Sequence, residues 1–221
     1  MNPLRANPLK SLFGRADVTP RPDLAEFAGG TPGPRMLLVD AATPPAAEAV
    51  IGAFPGAVVQ SHGPDAREGL PILDDDGRRL PATPGGWNRI VLLDVVDGVV
   101  HPAFALTAAA EALAPDGRLV LLQQVAPDDI DARGAWNALQ RLRDPRHTWT
   151  PTRRQVRALA SDAGFVRENE ALWDEDARMT DSVRPETETL LRTYVVALES
   201  SGLITDGVTS VRRLGLVLRP R

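Results

Sequence analysis

The sequence predicts a single α/β domain with a mostly parallel sheet and helices on both faces. Three observations carry that prediction. Residues 87–122 read as a buried strand, a helix, a Pro-Asp-Gly turn and a second buried strand, which together make one crossover unit. The apolar runs at Ile90–Leu93 and Arg118–Val125 are nearly continuous rather than alternating. Runs of that kind suit parallel strands covered on both sides. Along the rest of the chain, short apolar runs take turns with segments of helical spacing, the order expected of such a sheet.

The bulk properties fit this class. A chain of 221 residues is long enough for one sizeable core. Its 25 basic and 29 acidic residues give a formal charge of −4, which speaks against broad nucleic-acid binding. No stretch approaches the roughly 20 apolar residues of a membrane span. The first residues lack the apolar run of a signal peptide, so a cytoplasmic location is expected. The absence of cysteine excludes disulfides, thiolate metal sites and cysteine nucleophiles.

The elements follow in order. Residues 1–34 are rich in Pro and Gly and read as an N-terminal arm or cap, with a short helix around Pro22–Phe27. Residues 35–221 then form the domain. Arg35–Asp40 (RMLLVD) is a buried strand bounded by Gly33-Pro34 and Pro44-Pro45. Ala46–Phe54 carries Val50, Ile51 and Phe54 on one helical face, and Pro45 suits its first turn. Ala57–Gln60 is a second strand, and residues 62–86 are loop-rich. After the strand at Ile90–Leu93, the crossover helix spans Ala103–Ala114 and stops at Pro115-Asp116-Gly117. Arg133–Arg143 places Trp136, Leu139 and Leu142 at helical spacing. Thr150-Pro151 looks like a helix start, with Thr as N-cap and Pro at the first position. That helix has Val156, Leu159, Ala160 and Ala163 as its apolar stripe and Gly164 as its stop. Phe165–Trp173 and Leu214–Leu218 are the last strands. Between them, Pro185–Ser201 is an amphipathic helix with Leu190, Leu191, Tyr194, Val195 and Leu198 on one face.

The segment Asp76–Gln123 resembles the second half of a class I S-adenosylmethionine-dependent methyltransferase. Leu80-Pro81, Ile90–Leu93 and Leu113-Ala114-Pro115-Asp116-Gly117 stand where that superfamily has its Leu-Pro pair, its strand under the substrate and its L-x-P-G-G turn. Arg143-Asp144-Pro145-Arg146-His147, Thr150-Pro151 and Asp162-Ala163-Gly164-Phe165 are similar to a pattern of its quinone-biosynthesis-like branch. The likeness covers about residues 76–166. It implies a Rossmann-like fold and S-adenosylmethionine as cofactor.

Carried over residue by residue, the resemblance assigns cofactor contacts to Asp40, Ala42, Gln60 and Asp76. The superfamily's D-x-G-x-G-x-G loop lets backbone approach the cofactor closely. With Asp40 in its acidic place, the glycine places hold Ala42, Pro44 and Ala46. The superfamily's ribose-binding carboxylate falls near Gln60-Ser61-His62, where a neutral amide is a weaker acceptor than an ionised group. Asp76 stands in the adenine-side position, although Asp-Asp-Asp-Gly also reads as a plain turn. Asp94 and His101, after the strand at Ile90–Leu93, fall along the substrate pocket, and for His101 the ordinary reading is a loop residue. His147 stands where the branch has a histidine near the substrate, and imidazole can serve as a base near neutral pH. Its other reading is a helix-flanking residue that stacks on Trp149. No metal-ligand spacing, GxSxG, phosphate-binding loop or GxGxxG occurs.

Two functions follow from this pattern. One is methyl transfer from S-adenosylmethionine to a small-molecule or lipid-like acceptor. The other is a non-catalytic partner or regulatory subunit of the same fold that has lost normal cofactor binding. A fold repurposed for other chemistry is a third, lesser reading. The 185–201 helix offers an apolar face for the domain's own sheet, for a lid, or for a homo- or hetero-oligomer contact.

Overall fold

In a computed structural model, described for residues 20–29, 35–40, 52–53, 58–61, 80, 82–99, 101–143, 147, 149–178, 189, 192–193, 196 and 208–221, the strands join into one sheet. They are β1 (Met36–Asp40), β2 (Val58–Ser61), β3 (Trp87–Leu93), β4 (Leu113–Val125), β5 (Phe165–Arg178) and β6 (Val208–Pro220), in spatial order β2-β1-β3-β4-β6-β5. The pairs β1–β2, β1–β3 and β3–β4 are parallel, while β6 runs antiparallel to both β4 and β5. Only β6 opposes the common direction, so the sheet is mixed but mostly parallel, as the sequence predicts.

Each face of the sheet carries its own apolar layer. On one face Leu37, Ile90, Leu92, Leu119, Leu121, Leu214 and Leu216 pack with residues from the helices that follow β3 and β4. The helices after these strands are α2 (Val95–Gly98), α3 (Pro102–Ala112), α4 (Ile130–Arg143) and α5 (Arg153–Asp162), of which α2, α3 and α5 supply that layer. Leu106 and Ala109 of α3 and Val156 and Ala160 of α5 belong to that layer. On the other face Leu38, Val91, Leu93, Val120, Leu122 and Trp173 pack beneath α1 (Leu24–Phe27), which contributes Leu24 and Phe27. Asp23 caps α1 by accepting from Glu26 N at 2.9 Å. The guanidinium of the buried Arg89 donates to the Ala28 carbonyl and ties the end of α1 to β3.

Several boundaries differ from expectation for local reasons. The helix expected to start at Thr150-Pro151 starts at Arg153 instead. Thr152 is its N-cap, because Gln155 completes a reciprocal capping box, whereas Thr150 has Arg153 at the equivalent place. Helix α4 begins at Ile130, earlier than expected, since Asp129 Oδ1 accepts from Asp131 N and Ala132 N at 3.1 and 2.9 Å. Strand β4 begins at Leu113, and its register against β3 shifts between Trp87 and Arg89 to accommodate Pro115-Asp116-Gly117. A Cβ on Gly117 would lie 2.7 Å from the Trp87 carbonyl oxygen, so only glycine allows the strands to meet there.

Strands β5 and β6 extend past their apolar cores through Asp174, Glu175, Arg212 and Arg213, which compensate one another's charge. Of the two remaining expected helices, Gly52–Ala53 is helical in the first, and Thr189, Arg192, Thr193 and Val196 are helical and exposed in the second. The rest of both, including Leu190, Leu191, Tyr194, Val195 and Leu198, lies outside the described residues. Among the described residues, no helix is long and apolar enough to cross a membrane.

Candidate functional site at the carboxyl ends of the parallel strands

In an open parallel sheet, ligands sit beyond the carboxyl ends of the strands. Here the register sets Val39 against Gln60 and Asp40 against both Ser61 and Leu93. The backbones of Asp40, Gln60 and Asp94 are therefore brought to one edge at neighbouring strand ends. Ala42 and Asp76 lie outside the described residues.

Asp94 follows β3 directly and adopts a left-handed conformation, φ 51° and ψ 33°. Outside glycine, Asp and Asn are the residues that enter this region most readily. The turn is held from several directions. Asp94 N donates to the Leu122 carbonyl at 2.9 Å, and Gln124 N donates to Asp94 Oδ1 at 2.8 Å. Arg213 Nη1, reaching from β6, donates to both carboxylate oxygens at 2.9 and 2.8 Å. Its Nε donates to Glu175 Oε2 at 2.7 Å. Trp173 Nε1 donates to Glu175 Oε1 at 2.8 Å, and Arg21 stands 3.7 Å from that oxygen. Burial alone would weaken the hold of Arg213 on its proton. The charges of Asp94 and Glu175 outweigh that and raise its pKa, so the guanidinium is a fixed cation. Burial likewise opposes ionisation of Glu175, but Arg213 and the Trp173 hydrogen bond keep its pKa below the usual value.

Asp97, in the first turn of α2, completes the cluster. Gln123, fully buried on β4, donates from Nε2 to Asp97 Oδ1 at 2.9 Å and accepts from Val96 N at 3.1 Å. Burial first, and the nearby charge of Asp94 second, push the Asp97 carboxyl up to about 8. Near neutral pH this group can therefore exchange a proton. The sequence reading missed Asp97, Gln123, Glu175 and Arg213. A local signal existed in the pair of acids three residues apart just beyond a buried strand, Asp94 and Asp97, and in the adjacent Arg212 and Arg213 ahead of an apolar strand.

The histidines fall elsewhere on this edge. His101 precedes α3, is exposed, and meets Phe104 edge-on with ring centroids 5.2 Å apart. His147 is half-buried, with Nε2 3.1 Å from Thr150 Oγ1 and 3.4 Å from Asn137 Oδ1. Asn137 Oδ1 also accepts from Thr150 N at 2.6 Å. This segment runs beside the carboxyl end of β4, where Ala126 N donates to the Pro151 carbonyl at 2.9 Å. Among the described residues, no group of acids and histidines is placed to hold a metal ion.

A family model described as a methyltransferase domain matches residues 25–169, from α1 into β5. The chain belongs to that family. Solved structures share the fold of this methyltransferase domain at low identity. The YcgJ protein of Bacillus subtilis aligns over 90% of this chain and 97% of its own, with 16% identity and a TM-score of 0.63. A candidate methyltransferase from Bacillus halodurans aligns over 95% and 96%, with 17% identity and a TM-score of 0.59. A phosphoethanolamine N-methyltransferase of Haemonchus contortus, solved with phosphomonomethylethanolamine and S-adenosylhomocysteine, aligns over 90% of this chain but 51% of its own, with 14% identity and a TM-score of 0.51. No curated protein matches the chain by sequence.

Proposed function

We propose that this methyltransferase domain transfers a methyl group from S-adenosylmethionine to a small-molecule or lipid-like acceptor bound at the carboxyl edge of the sheet. The observation that carries the reading is the family match over 25–169, joined to a polar, charge-balanced cluster at the end of β3, where such a sheet takes its ligand. The Arg143–His147 pattern favours the quinone-biosynthesis-like branch.

By residue type, Asp40 would supply a carboxylate for a cationic group of the cofactor, and Gln60 and Asp76 would supply acceptors for its hydroxyl and amino groups. When bound, S-adenosylmethionine supplies an activated methyl group on a sulfonium. This chain's own residues would orient and hold protons. Arg213 fixes the Asp94 carboxylate and, through it, the turn at the end of β3. His147, tethered by Thr150 and Asn137, is the proposed base or acceptor contact on the neighbouring loop, and His101 is the proposed pocket-lining residue.

The alternative, a non-catalytic partner subunit, draws on Ala42, Pro44 and Ala46 in the glycine places. Oligomer formation through the 185–201 helix belongs with that alternative. Calorimetry with S-adenosylmethionine and S-adenosylhomocysteine on ligand-stripped protein separates the two. Methyl transfer requires binding of both, weakened by Asp76→Ala. Silence at millimolar ligand would sink it and leave the partner reading.

A further inference from the structure

Resting on the proposed role of His147 in methyl transfer, we infer that Asn137 is a positioning residue that keeps the His147 proton on Nε2 and so makes Nδ1 the ring atom that takes a proton from the acceptor.

Asn137 stands on α4 and reaches the loop ahead of α5. Two backbone groups fix which way its amide faces. Nδ2 donates to the Arg133 carbonyl at 3.0 Å, one turn back on α4, and Oδ1 accepts from Thr150 N at 2.6 Å. A flipped amide would set Nδ2 against the Thr150 N–H and Oδ1 against the Arg133 carbonyl, and both bonds would be lost. The atom that faces His147 Nε2, at 3.4 Å, is therefore an acceptor with no proton to give. A lone pair on Nε2 would point at the lone pairs of Oδ1, whereas a proton on Nε2 is attracted to them. The Thr150 hydroxyl, 3.1 Å from the same nitrogen, is able to donate or accept and by itself leaves the tautomer open. Asn137 decides it, and the hydroxyl then shares the Nε2–H as a second acceptor. The loop is a firm platform. Thr150 is fully buried, Ala126 N donates to the Pro151 carbonyl at 2.9 Å, and Ala126 bridges to Thr152 at the end of β4. Asn137 is thus fixed at one end by its own helix and at the other by a loop anchored on the sheet.

The tautomer sets which atom does the chemistry. A neutral imidazole with its proton on Nε2 carries its basic lone pair on Nδ1. When an acceptor O–H or N–H meets Nδ1, that bond breaks, its electron pair stays on the acceptor atom, and the proton forms a new bond to Nδ1. The ring becomes an imidazolium with its charge spread over both nitrogens. The bond from Nε2–H to Asn137 Oδ1 then gains strength, because its donor has become charged. One amide orients the ring before the transfer and stabilises the cation after it, the part an orienting partner plays for a histidine base.

The test reads the two ring nitrogens of His147 by NMR of the full-length protein with labelled histidine, at pH values where the ring is neutral, with His147→Gln to assign the signals. Nε2 should resonate as the proton-bearing nitrogen and Nδ1 as the lone-pair nitrogen. An excess of about tenfold for the Nε2–H form is expected, equivalent to about 1.4 kcal/mol. Asn137→Asp keeps the acceptor oxygen and should keep the pattern. Thr150→Val removes only the hydroxyl and should keep it as well, while Asn137→Leu should bring the two forms within a few fold of each other. A ring with its proton on Nδ1 in the wild type overturns the inference. So does a switch of tautomer in Thr150→Val, or an unchanged pattern in Asn137→Leu. If Asn137→Leu fails to fold, the wild type and Thr150→Val decide, since the hydroxyl-free variant leaves Asn137 Oδ1 as the acceptor facing Nε2. Calorimetry with S-adenosylmethionine and S-adenosylhomocysteine on the same samples separates the two claims. If neither binds while the nitrogen pattern holds, the methyltransferase reading fails and the control of His147 by Asn137 stands.

Discussion

Replacing Arg213 by methionine should destabilise the domain strongly, because it removes the cation but leaves its partners. The Arg213 side chain is 11% exposed, Asp94 13% and Glu175 25%. Three hydrogen bonds of 2.7–2.9 Å are lost, and two carboxylates are left without their cation. Breaking a buried pair from one side costs about 3–5 kcal/mol. For a domain of this size each kcal/mol lowers the midpoint of thermal unfolding by about 2–4 °C, so a fall of roughly 10 °C is expected. Most of the cost is uncompensated negative charge. Asp94→Asn in the same chain should therefore recover a large part, leaving the double variant more stable than Arg213→Met alone. Chemical denaturation of the wild type, both single variants and the double variant gives the coupling directly. A loss below about 1 kcal/mol would refute the reasoning. Strict additivity, with no recovery in the double variant, would also refute it, since the arginine would then contribute only apolar packing.

Three further outcomes follow from other contacts. Asp97 keeps its proton to about pH 8 when folded but loses it near 3.8 when unfolded, so the folded chain binds more protons between those values. Its contribution is then fully present below pH 3.8 and declines as pH rises, by up to about 1.4 kcal/mol per pH unit, levelling above pH 8; urea unfolding across that window should show the slope vanish in Asp97→Asn. Thr152→Ala removes the capping box of α5 and should cost about 1 kcal/mol, which hydrogen exchange at Gln155 N would register as faster local opening. Glu170 receives Arg153 Nε at 2.6 Å, Arg157 Nε at 2.9 Å and Arg167 Nη1 at 2.5 Å. Burial opposes its ionisation, yet Arg157 and Arg153 hold its pKa below the usual value, so its contribution is present above the unfolded value and lost as pH falls through the folded one. Because the arginines are 32–50% exposed, Glu170→Gln should cost only about 1 kcal/mol, and a cost that persists in high salt would contradict the electrostatic account.

The parallel half of the sheet is legible in the sequence because each strand carries its own signal. Met36–Val39, Ile90–Leu93 and Leu119–Leu122 are buried by helices on both sides, and a continuous apolar run records that environment locally. The outer strands are less legible. Asp174, Glu175, Arg212 and Arg213 read as strand ends or loop when each segment is taken alone. They are strand because each neutralises a residue of the neighbouring strand. The Thr150-Pro151 pair marks a start for α5 two residues ahead of the observed one, because a Thr-Pro pair is the stronger local signal. The reciprocal bonds between Thr152 and Gln155 decide the matter.

The site shows the same division. Asp94 announces itself as the polar residue closing a buried strand. Its partner Arg213 lies 119 residues away and has no local mark beyond an arginine pair. Asp97 looks like an ordinary acid in a helical first turn until Gln123 and Asp94 are placed beside it. Proton affinity of this kind arises from three-dimensional neighbours, and spacing along the chain does not encode it. Asp40 and Gln60 share an edge with Asp94 through strand register alone.

The position of β6 has a consequence for how the molecule assembles. It is the last strand in the described sequence, yet it lies inside the sheet, between β4 and β5. Strand β5 is made before it but cannot join the sheet until β6 slots in, since among the described residues β5 pairs only with β6. Before that insertion the Asp94 carboxylate lacks Arg213, and Glu175 stands on a strand not yet held beside it. Docking of β6 therefore closes the sheet and sets the charge of the site in a single event. A ribosome-bound chain ending before Val208 would hold the parallel half of the sheet without Arg213, and full protection of β5 should emerge abruptly as β6 is released.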